Sequence, residues 1–217
     1  FSKENNFYGG HGIVGAQVPI GTGIAFTHKY NGEKNICRTY IGDGAMNNGQ
    51  VFEAFNLAAL WKLPVLYIIE NNKYGMGTSV DRAAAGSDLF KRGESFGIPG
   101  EKVDGMNVFK VIEAADKAGK YVRDGNGPYI IEVQTYRYRG HSMSDPAKYR
   151  TKEELESYKT KDPIQVAHDV IIKKKIATEK ELEKINKTVI SKIKEAAEYA
   201  LESPYPSDES LFEDVYI

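Results

Sequence analysis

Hydrophobic and polar residues follow distinct patterns along the chain. Apolar residues recur at helical intervals over residues 50–61, and five consecutive apolar residues follow at residues 65–69. The first pattern predicts an amphipathic helix, and the second predicts a parallel strand that is covered on both faces. A short β-prone run at residues 36–41 precedes them. The sequence therefore predicts a βαβ unit over residues 36–69.

A second unit of the same kind follows in the chain. It consists of a strand pattern at residues 101–104, a helix pattern at 108–123 and a strand pattern at 129–133. Upstream, residues 12–30 have an apolar, glycine-containing pattern that resembles a helix. Strands that alternate with helices indicate a parallel sheet, so we predict an α/β domain over residues 1–150, with a mostly parallel sheet flanked by helices.

After residue 150 the pattern becomes helical throughout. Helices are predicted at residues 152–159, 163–175 and 179–202. Thr151 with Glu154, and Thr178 with Glu181, have the spacing of capping boxes at two of the helix starts. The charge also changes sign: residues 1–150 carry 18 basic and 15 acidic side chains, whereas residues 151–217 carry 11 and 15. We predict that residues 151–217 form a helical extension for subunit contacts.

Composition excludes several classes of protein. Hydrophobic residues make up 41% and charged residues 27% of the 217 residues, which is typical of a globular protein with a sizeable core. No apolar run approaches the roughly 18 residues that span a bilayer. The net charge of −1 gives no general case for nucleic-acid binding. The single cysteine, Cys37, is predicted to be buried in a strand, excludes an internal disulfide and fits a reducing compartment.

Polar clusters follow the two strands of the first βαβ unit. Gly42, Asp43 and Gly44 come after the first strand, Asn71 and Asn72 come after the second, and 26 residues separate the clusters. A βαβ crossover places the carboxyl ends of its strands side by side, where open α/β sheets bind ligands. We therefore expect the two clusters to converge on one site for magnesium and a diphosphate.

Three oxygens are candidates to hold the metal. Asp43 offers a carboxylate, Asn72 an amide oxygen, and Tyr74 a main-chain carbonyl in the following turn. Magnesium takes about six hard oxygen ligands, and this set leaves room for phosphate oxygens and water. Either cluster alone is more often an ordinary turn or strand exit, since turns favour these residue types. Their joint spacing across one βαβ unit favours the metal site.

These motifs resemble the thiamine diphosphate signature, which begins with Gly-Asp-Gly and ends with Asn-Asn. Three further segments, at residues 7–19, 71–79 and 136–146, are similar to the alpha subunits of pyruvate dehydrogenase and related 2-oxoacid dehydrogenases. The resemblance runs from one end of the chain to the other. It implies a thiamine diphosphate-binding fold with thiamine diphosphate and magnesium as cofactors.

The resemblance also implies roles for individual residues. Asp43, Asn72 and the Tyr74 carbonyl match the magnesium ligands of the family. Residues that match positions near the cofactor are Gly12, Val14, Gly42, Gly44 and Ala45. Among these, Gly44 and Ala45 match amides near the diphosphate, Gly12 and Val14 match contacts to the aminopyrimidine ring, and Val14 matches an apolar wedge that bends the cofactor.

His141 is the candidate catalytic residue. It lies in a polar, glycine-containing loop, and a loop histidine can donate protons because its ordinary pKa is about 6.5. A surface histidine without a role is the default interpretation, but the surrounding motif matches the active-site loop of the family. The neighbouring Ser142 matches a serine that kinases phosphorylate in mitochondrial relatives. We expect Ser142 instead to order the loop by local hydrogen bonds, because a second serine familiar from those relatives is missing.

The implied activity is oxidative decarboxylation of pyruvate and transfer of the acetyl group to the lipoyl group of a partner dihydrolipoyl acyltransferase. The family works as a heterotetramer of two alpha and two beta subunits, in the bacterial cytoplasm or the mitochondrial matrix. A beta-subunit glutamate activates the cofactor, and an N-terminal stretch that we expect to be missing here adds diphosphate contacts. Two alternatives stay open: an acetoin or branched-chain 2-oxoacid dehydrogenase alpha subunit, and a truncated, catalytically silent interaction subunit.

Overall fold

The structure is a computed structural model that describes residues 2–213 and residue 215. Within them, the strands are β1 Cys37–Gly42, β2 Val65–Asn71, β3 Tyr74–Gly75, β4 Thr78–Ser79, β5 Gly100–Asp104 and β6 Tyr129–Gln134. The α-helices are α1 Gln17–Tyr30, α2 Gly49–Leu60, α3 Val80–Ala83, α4 Val108–Arg123, α5 Lys152–Lys159, α6 Pro163–Lys173 and α7 Glu179–Glu202. Short 3-10 helices lie at Lys3–Asn5, Ala45–Asn47, Leu89–Phe96 and Asp208–Phe212.

Four of the strands form one parallel sheet, with the order β1-β2-β6-β5. The units β1–α2–β2 and β5–α4–β6 are the two predicted βαβ units. The sheet aligns Gly42 at the end of β1 with Glu70 near the end of β2. The predicted fold class, a parallel sheet flanked by helices, is therefore confirmed.

Apolar clusters cover both faces of the sheet. On one face, Val65, Tyr67 and Ile69 of β2 pack with Val18 of α1 and Phe55 of α2. On the other face, a second cluster joins the sheet to α4, and its buried members are Leu66, Val103, Ala114, Ala118, Val122, Tyr129 and Ile131. Alternate residues of β2 thus face two different cores, which explains its continuous apolar sequence.

Several details differ from the sequence-based predictions. The helix predicted from residue 12 begins at Gln17, because Gly15 has a left-handed backbone (φ +86°). The helix predicted to reach residue 175 ends at Lys173. The β3–β4 hairpin was not predicted, since its two-residue strands are too short to show an alternating pattern. Cys37 is only partly buried, because β1 is an edge strand of the described sheet.

The chain divides into two compact units between Ala167 and His168. This division lies beyond the predicted domain boundary after residue 150, because α5 is bound to the first unit by hydrogen bonds from Tyr74 and Tyr136 to Glu154. In the second unit, the predicted capping box of Thr178 and Glu181 is fully formed. No helix in the described part of the chain is long and apolar enough to cross a bilayer.

Candidate functional site

The two predicted polar clusters meet at the carboxyl ends of β1 and β2. Asp43, which follows β1, is buried, with 3% of its surface exposed. A methyl group added to Gly44 would lie 3.2 Å from the Cα atom of Gly75, one residue after Tyr74. The main chains of the two clusters are therefore in van der Waals contact, and no side chain fits between them.

Opposing effects act on the Asp43 carboxyl. Burial raises its pKa above the ordinary value, while hydrogen bonds from the main-chain amides of Asp43 and Asn72 and the charges of Arg137 and Lys73 lower it. A carboxylate that has lost its water but is surrounded by donors and positive charge is suited to bind a cation.

The side chain of Arg137, in the loop after β6, joins two of the three candidate metal ligands. Its Nη1 atom donates to the Asn72 amide oxygen at 3.3 Å and to the Tyr74 carbonyl at 3.0 Å. Its Nη2 atom donates to the Met76 carbonyl at 2.8 Å and to the Tyr149 hydroxyl at 3.2 Å. Two oxygens from different residues thus point at one positive group.

The turn that carries these oxygens has an unusual backbone. Lys73 and Met76 both have left-handed conformations, with φ of 76° and 55°, which are uncommon for residues other than glycine. The side chain of Asn71 supports the turn: its oxygen accepts the Lys73 amide at 3.2 Å, and its nitrogen donates to Glu132 at 2.8 Å. Glu132 is fully buried in β6.

These observations test whether the residues fit a magnesium ion and a diphosphate. The three oxygens are hard donors of the kind that magnesium prefers, and two of them lie within hydrogen-bond distance of the same nitrogen of Arg137. The described residues contain no group of three His, Cys, Asp or Glu side chains that could hold a metal. The candidate set, with a single carboxylate, instead suits a metal that keeps phosphate and water ligands. The residues fit.

The glycines and Ala45 form the surroundings of Asp43. Gly42 ends β1, and a methyl group added there would meet no atom within 4 Å. Gly44 immediately precedes the short helix that begins at Ala45. Amides at the start of a helix have no intrahelical partner, so the amides of Gly44 and Ala45 are candidates to bind a diphosphate.

Gly12 and Val14 lie in the exposed segment before α1. The Val14 carbonyl accepts hydrogen bonds from Asn48 at 3.1 Å and from Gln50 at 3.0 Å. These amides tie the segment to the start of α2, the helix that follows the Asp43 cluster. The Val14 side chain is 62% exposed and is free to contact a ligand, while Gly12 has open space around it. Their predicted contacts to a cofactor ring stay predictions.

His141 lies in the loop after β6, with its side chain exposed. Its main-chain amide donates to Asp145 at 2.7 Å, and the same carboxylate oxygen accepts the Tyr149 hydroxyl at 2.8 Å. Tyr149 in turn accepts from Arg137, so hydrogen bonds connect the main chain of His141 to the candidate metal ligands. Hydrogen bonds from the amides of His141 and Ala147 lower the pKa of Asp145 to about 2. Ser142 contacts Ser144 through its hydroxyl at 3.1 Å.

Sequence reasoning missed residues that support the site. Four residues outside the predicted ligand set support the site through contacts that only the three-dimensional structure shows: Gly75, Glu132, Arg137 and Glu154. Asn48 had a local signal, since asparagine is favoured at the N-cap position it occupies before α2. The missed residues are therefore those whose contacts join distant parts of the chain.

Comparisons with known proteins identify the family. A family model described as "Dehydrogenase E1 component" matches residues 1–209. The chain is 56% identical over 217 residues to "Pyruvate dehydrogenase E1 component subunit alpha" of Rickettsia bellii (strain RML369-C), covering all of this chain and 67% of the relative. The protein of the same name from Rhizobium meliloti (strain 1021) is 55% identical over 218 residues, covering 100% and 63%. A relative from Bos taurus, "Pyruvate dehydrogenase E1 component subunit alpha, somatic form, mitochondrial", is 53% identical over 213 residues, covering 97% and 54%. The chain thus spans about two thirds or less of the length of these relatives.

Proposed function

Because the chain belongs to the dehydrogenase E1 component family, we propose that it carries the metal- and diphosphate-binding part of a pyruvate dehydrogenase alpha subunit, with thiamine diphosphate and magnesium as cofactors. The observation that carries the proposal is the meeting of the Asp43 and Asn72 clusters at neighbouring strand ends, where the Asn72 and Tyr74 oxygens both accept from the Arg137 guanidinium.

Each part of the site has a defined task in this proposal. Asp43, Asn72 and the Tyr74 carbonyl hold magnesium, and the amides of Gly44 and Ala45 bind the diphosphate. Gly42 leaves open space for the close approach of the cofactor, and Gly12 and Val14 contact its aminopyrimidine ring. The contact between Gly44 and Gly75 sets the distance between the two halves of the metal site.

Thiamine diphosphate, when bound, supplies the electron sink for decarboxylation of the 2-oxoacid. The chain itself binds and orients the cofactor, and the loop of residues 136–150 brings His141 to the site as a proton donor. Hydrogen bonds of Asp145 and Arg137 link that loop to the turn at Tyr74. The exposed imidazole of His141 is accessible to a bound substrate, and histidine is the side chain that most often transfers protons in catalysis.

The proposal includes partners and a location. A beta subunit completes a heterotetramer of two alpha and two beta subunits and supplies the glutamate that activates the cofactor. A dihydrolipoyl acyltransferase accepts the acetyl group on its lipoyl group. Relatives of this chain include a protein of the bacterium Rickettsia bellii and a mitochondrial protein of Bos taurus, which supports a place in the bacterial cytoplasm or the mitochondrial matrix.

Calorimetry with thiamine diphosphate and Mg²⁺ tests the site, performed with and without a beta subunit. We expect binding with the beta subunit, and we expect Asp43→Asn to weaken it at least tenfold. Asp104→Asn is the matched control, because Asp104 is also a carboxylate at the carboxyl end of a strand of the same sheet, yet it is bonded to Lys110. Binding that Asp43→Asn leaves unchanged would eliminate the metal assignment.

Turnover measurements test the substrate. We expect the chain with its beta subunit to prefer pyruvate over 2-oxoisovalerate and acetoin. A preference for either of the other substrates would assign the chain to the corresponding dehydrogenase. Cofactor binding without turnover of any of the three would favour a silent interaction subunit.

A further inference from the structure

Glu154, in the first turn of α5, accepts two phenolic hydroxyl groups. The Tyr74 hydroxyl lies 2.9 and 3.0 Å from its two carboxylate oxygens, and the Tyr136 hydroxyl lies 3.0 Å from one of them. Tyr74 is the residue whose main-chain carbonyl belongs to the candidate metal site. One residue therefore contacts the metal site with its main chain and α5 with its side chain.

This contact replaces the capping box that the sequence predicts. Thr151 accepts the Glu154 amide at 3.1 Å, as a capping residue does. The reciprocal bond from the Thr151 amide to the Glu154 carboxylate is absent among the described contacts of this helix start, whereas both bonds form at Thr178 and Glu181. The Glu154 carboxylate is instead directed at the two tyrosines. The predicted local role of Glu154 is thus half fulfilled, and its side chain serves a tertiary contact.

The helix that carries Glu154 is anchored at a second point. Tyr158, one turn later on the same face, stacks on Tyr136 with ring centres 4.0 Å apart and an angle of 7° between the planes. The guanidinium of Arg150 lies 5.2 Å from the centre of the Tyr136 ring. Because these contacts hold α5 in place without Tyr74, Glu154 is a fixed acceptor for the Tyr74 hydroxyl.

The turn around Tyr74 needs external support. Lys73 and Met76 have left-handed backbones, and such conformations persist only where surrounding contacts determine them. The β3–β4 pair has only two residues in each strand and is too short to be stable alone. Contacts from outside the turn must therefore set the position of the Tyr74 carbonyl.

We propose that Glu154 is a positioning residue for the metal site, which fixes the Tyr74 carbonyl by holding the hydroxyl of the same residue. The proposal rests on the proposed function, since it assumes that this carbonyl binds the metal. The competing explanation is that Glu154 only attaches α5 to the rest of the unit.

Two phenylalanine variants separate these explanations. Tyr74→Phe and Tyr136→Phe each remove one hydroxyl from the same carboxylate, but only Tyr74 carries a candidate ligand. Mn²⁺ binding to the full chain together with its beta subunit is followed by electron paramagnetic resonance. We expect Tyr74→Phe to weaken Mn²⁺ binding about five- to tenfold and Tyr136→Phe to change it less than twofold. Glu154→Ala should weaken Mn²⁺ binding as much as Tyr74→Phe does. Glu154→Gln should keep most of the parent's Mn²⁺ affinity, because the amide oxygen of glutamine can still accept a hydrogen bond from the phenol.

Hydrogen exchange of residues 72–79 supplies a second measurement that does not need metal. Exchange should become faster in Tyr74→Phe than in Tyr136→Phe, and circular dichroism verifies that both variants are folded. Equal loss of Mn²⁺ affinity in the two variants, or unchanged affinity in Tyr74→Phe, would overturn the positioning role. Mn²⁺ affinity that Asp43→Asn leaves unchanged would instead overturn the metal site itself, so the two failures are distinguishable.

Discussion

From the contact between Gly44 and Gly75 we predict how much an added methyl group weakens metal binding. A methyl group on either residue would lie 3.2 Å from the Cα atom of the other. Carbon atoms in contact prefer a separation of about 3.5–4.0 Å, so alanine at either position must move the two clusters apart by about 0.5 Å. Asp43 is on one side of this contact and the Tyr74 carbonyl is on the other.

The size of the effect follows from the strict geometry of magnesium. Its oxygen ligands lie at about 2.0–2.1 Å in a nearly ideal octahedron, and a shift of about 0.5 Å strains or removes one ligand. We expect a loss of about 1–2 kcal/mol in metal binding, which corresponds to about five- to thirtyfold in affinity. Overpacking costs about 1–3 kcal/mol in a closed core. Both loops can relax, so we expect the free energy of unfolding to fall by only about 1 kcal/mol.

Gly42→Ala is the matched control, because Gly42 belongs to the same motif but has open space around it. Gly44→Ala, Gly75→Ala and Gly42→Ala are compared by Mn²⁺ titration without thiamine diphosphate, so that cofactor contacts do not enter, and by urea denaturation. We expect the first two to bind Mn²⁺ more weakly and Gly42→Ala to resemble the parent. If all three variants lost affinity equally, or if none did, the contact would not set the geometry of the metal site.

Further predictions concern the support of the site and the acid stability of the fold. Glu132→Gln should lower the free energy of unfolding by about 2 kcal/mol in urea denaturation. The Glu132 carboxylate accepts three hydrogen-bond donors, and an amide cannot accept all three, so one donor stays buried and unpaired. A change below about 0.5 kcal/mol would contradict this role of Glu132. Arg137→Lys should speed hydrogen exchange both in residues 72–79 and in residues 138–149, because an ammonium group cannot replace the planar guanidinium that bonds to both segments. Faster exchange in only one segment would contradict the prediction that Arg137 connects the two. Hydrogen bonds from Lys102 and Lys91 lower the pKa of Asp88 to about 2. The stability that Asp88 contributes is therefore present above about pH 4 and is lost as the pH falls toward 2. In thermal melts, Asp88→Asn should reduce the loss of melting temperature between about pH 4 and pH 2. If the melting temperature of the variant fell with pH as much as that of the parent, Asp88 would not contribute to acid stability.

Sequence patterns predicted most of the fold because periodicity is a local property. The helix at residues 108–123 and the two βαβ units follow from apolar spacing and agree with the structure. The β3–β4 hairpin could not be predicted from the sequence, because its strands are only two residues long. Its turn also depends on left-handed residues, which periodicity does not identify.

The candidate ligands followed from two motifs, whereas the residues that support them did not. The spacing of Asp43 and Asn72 reflects the geometry of a βαβ unit, which is local enough to be visible in the sequence. Arg137 reaches Asn72 across 65 positions of the chain, and Glu154 reaches Tyr74 across 80. Glu154 even has a local interpretation, as part of a capping box, that hides its tertiary contact. Long-range hydrogen bonds of this kind need the folded structure to be recognised.

The use of a main-chain carbonyl at Tyr74 affects how substitutions in this region are interpreted. Every amino acid has a carbonyl, so no side-chain replacement at position 74 removes the proposed ligand itself. Substitutions at position 74 remove only the phenol and its bond to Glu154. The position of the Tyr74 carbonyl also depends on the left-handed backbone of Lys73 and on the absence of a side chain at Gly75. A mutational scan at position 74 should therefore report the lost bond to Glu154 and not the loss of the ligand itself. A search that compares residue types alone would overlook one of the three proposed protein ligands.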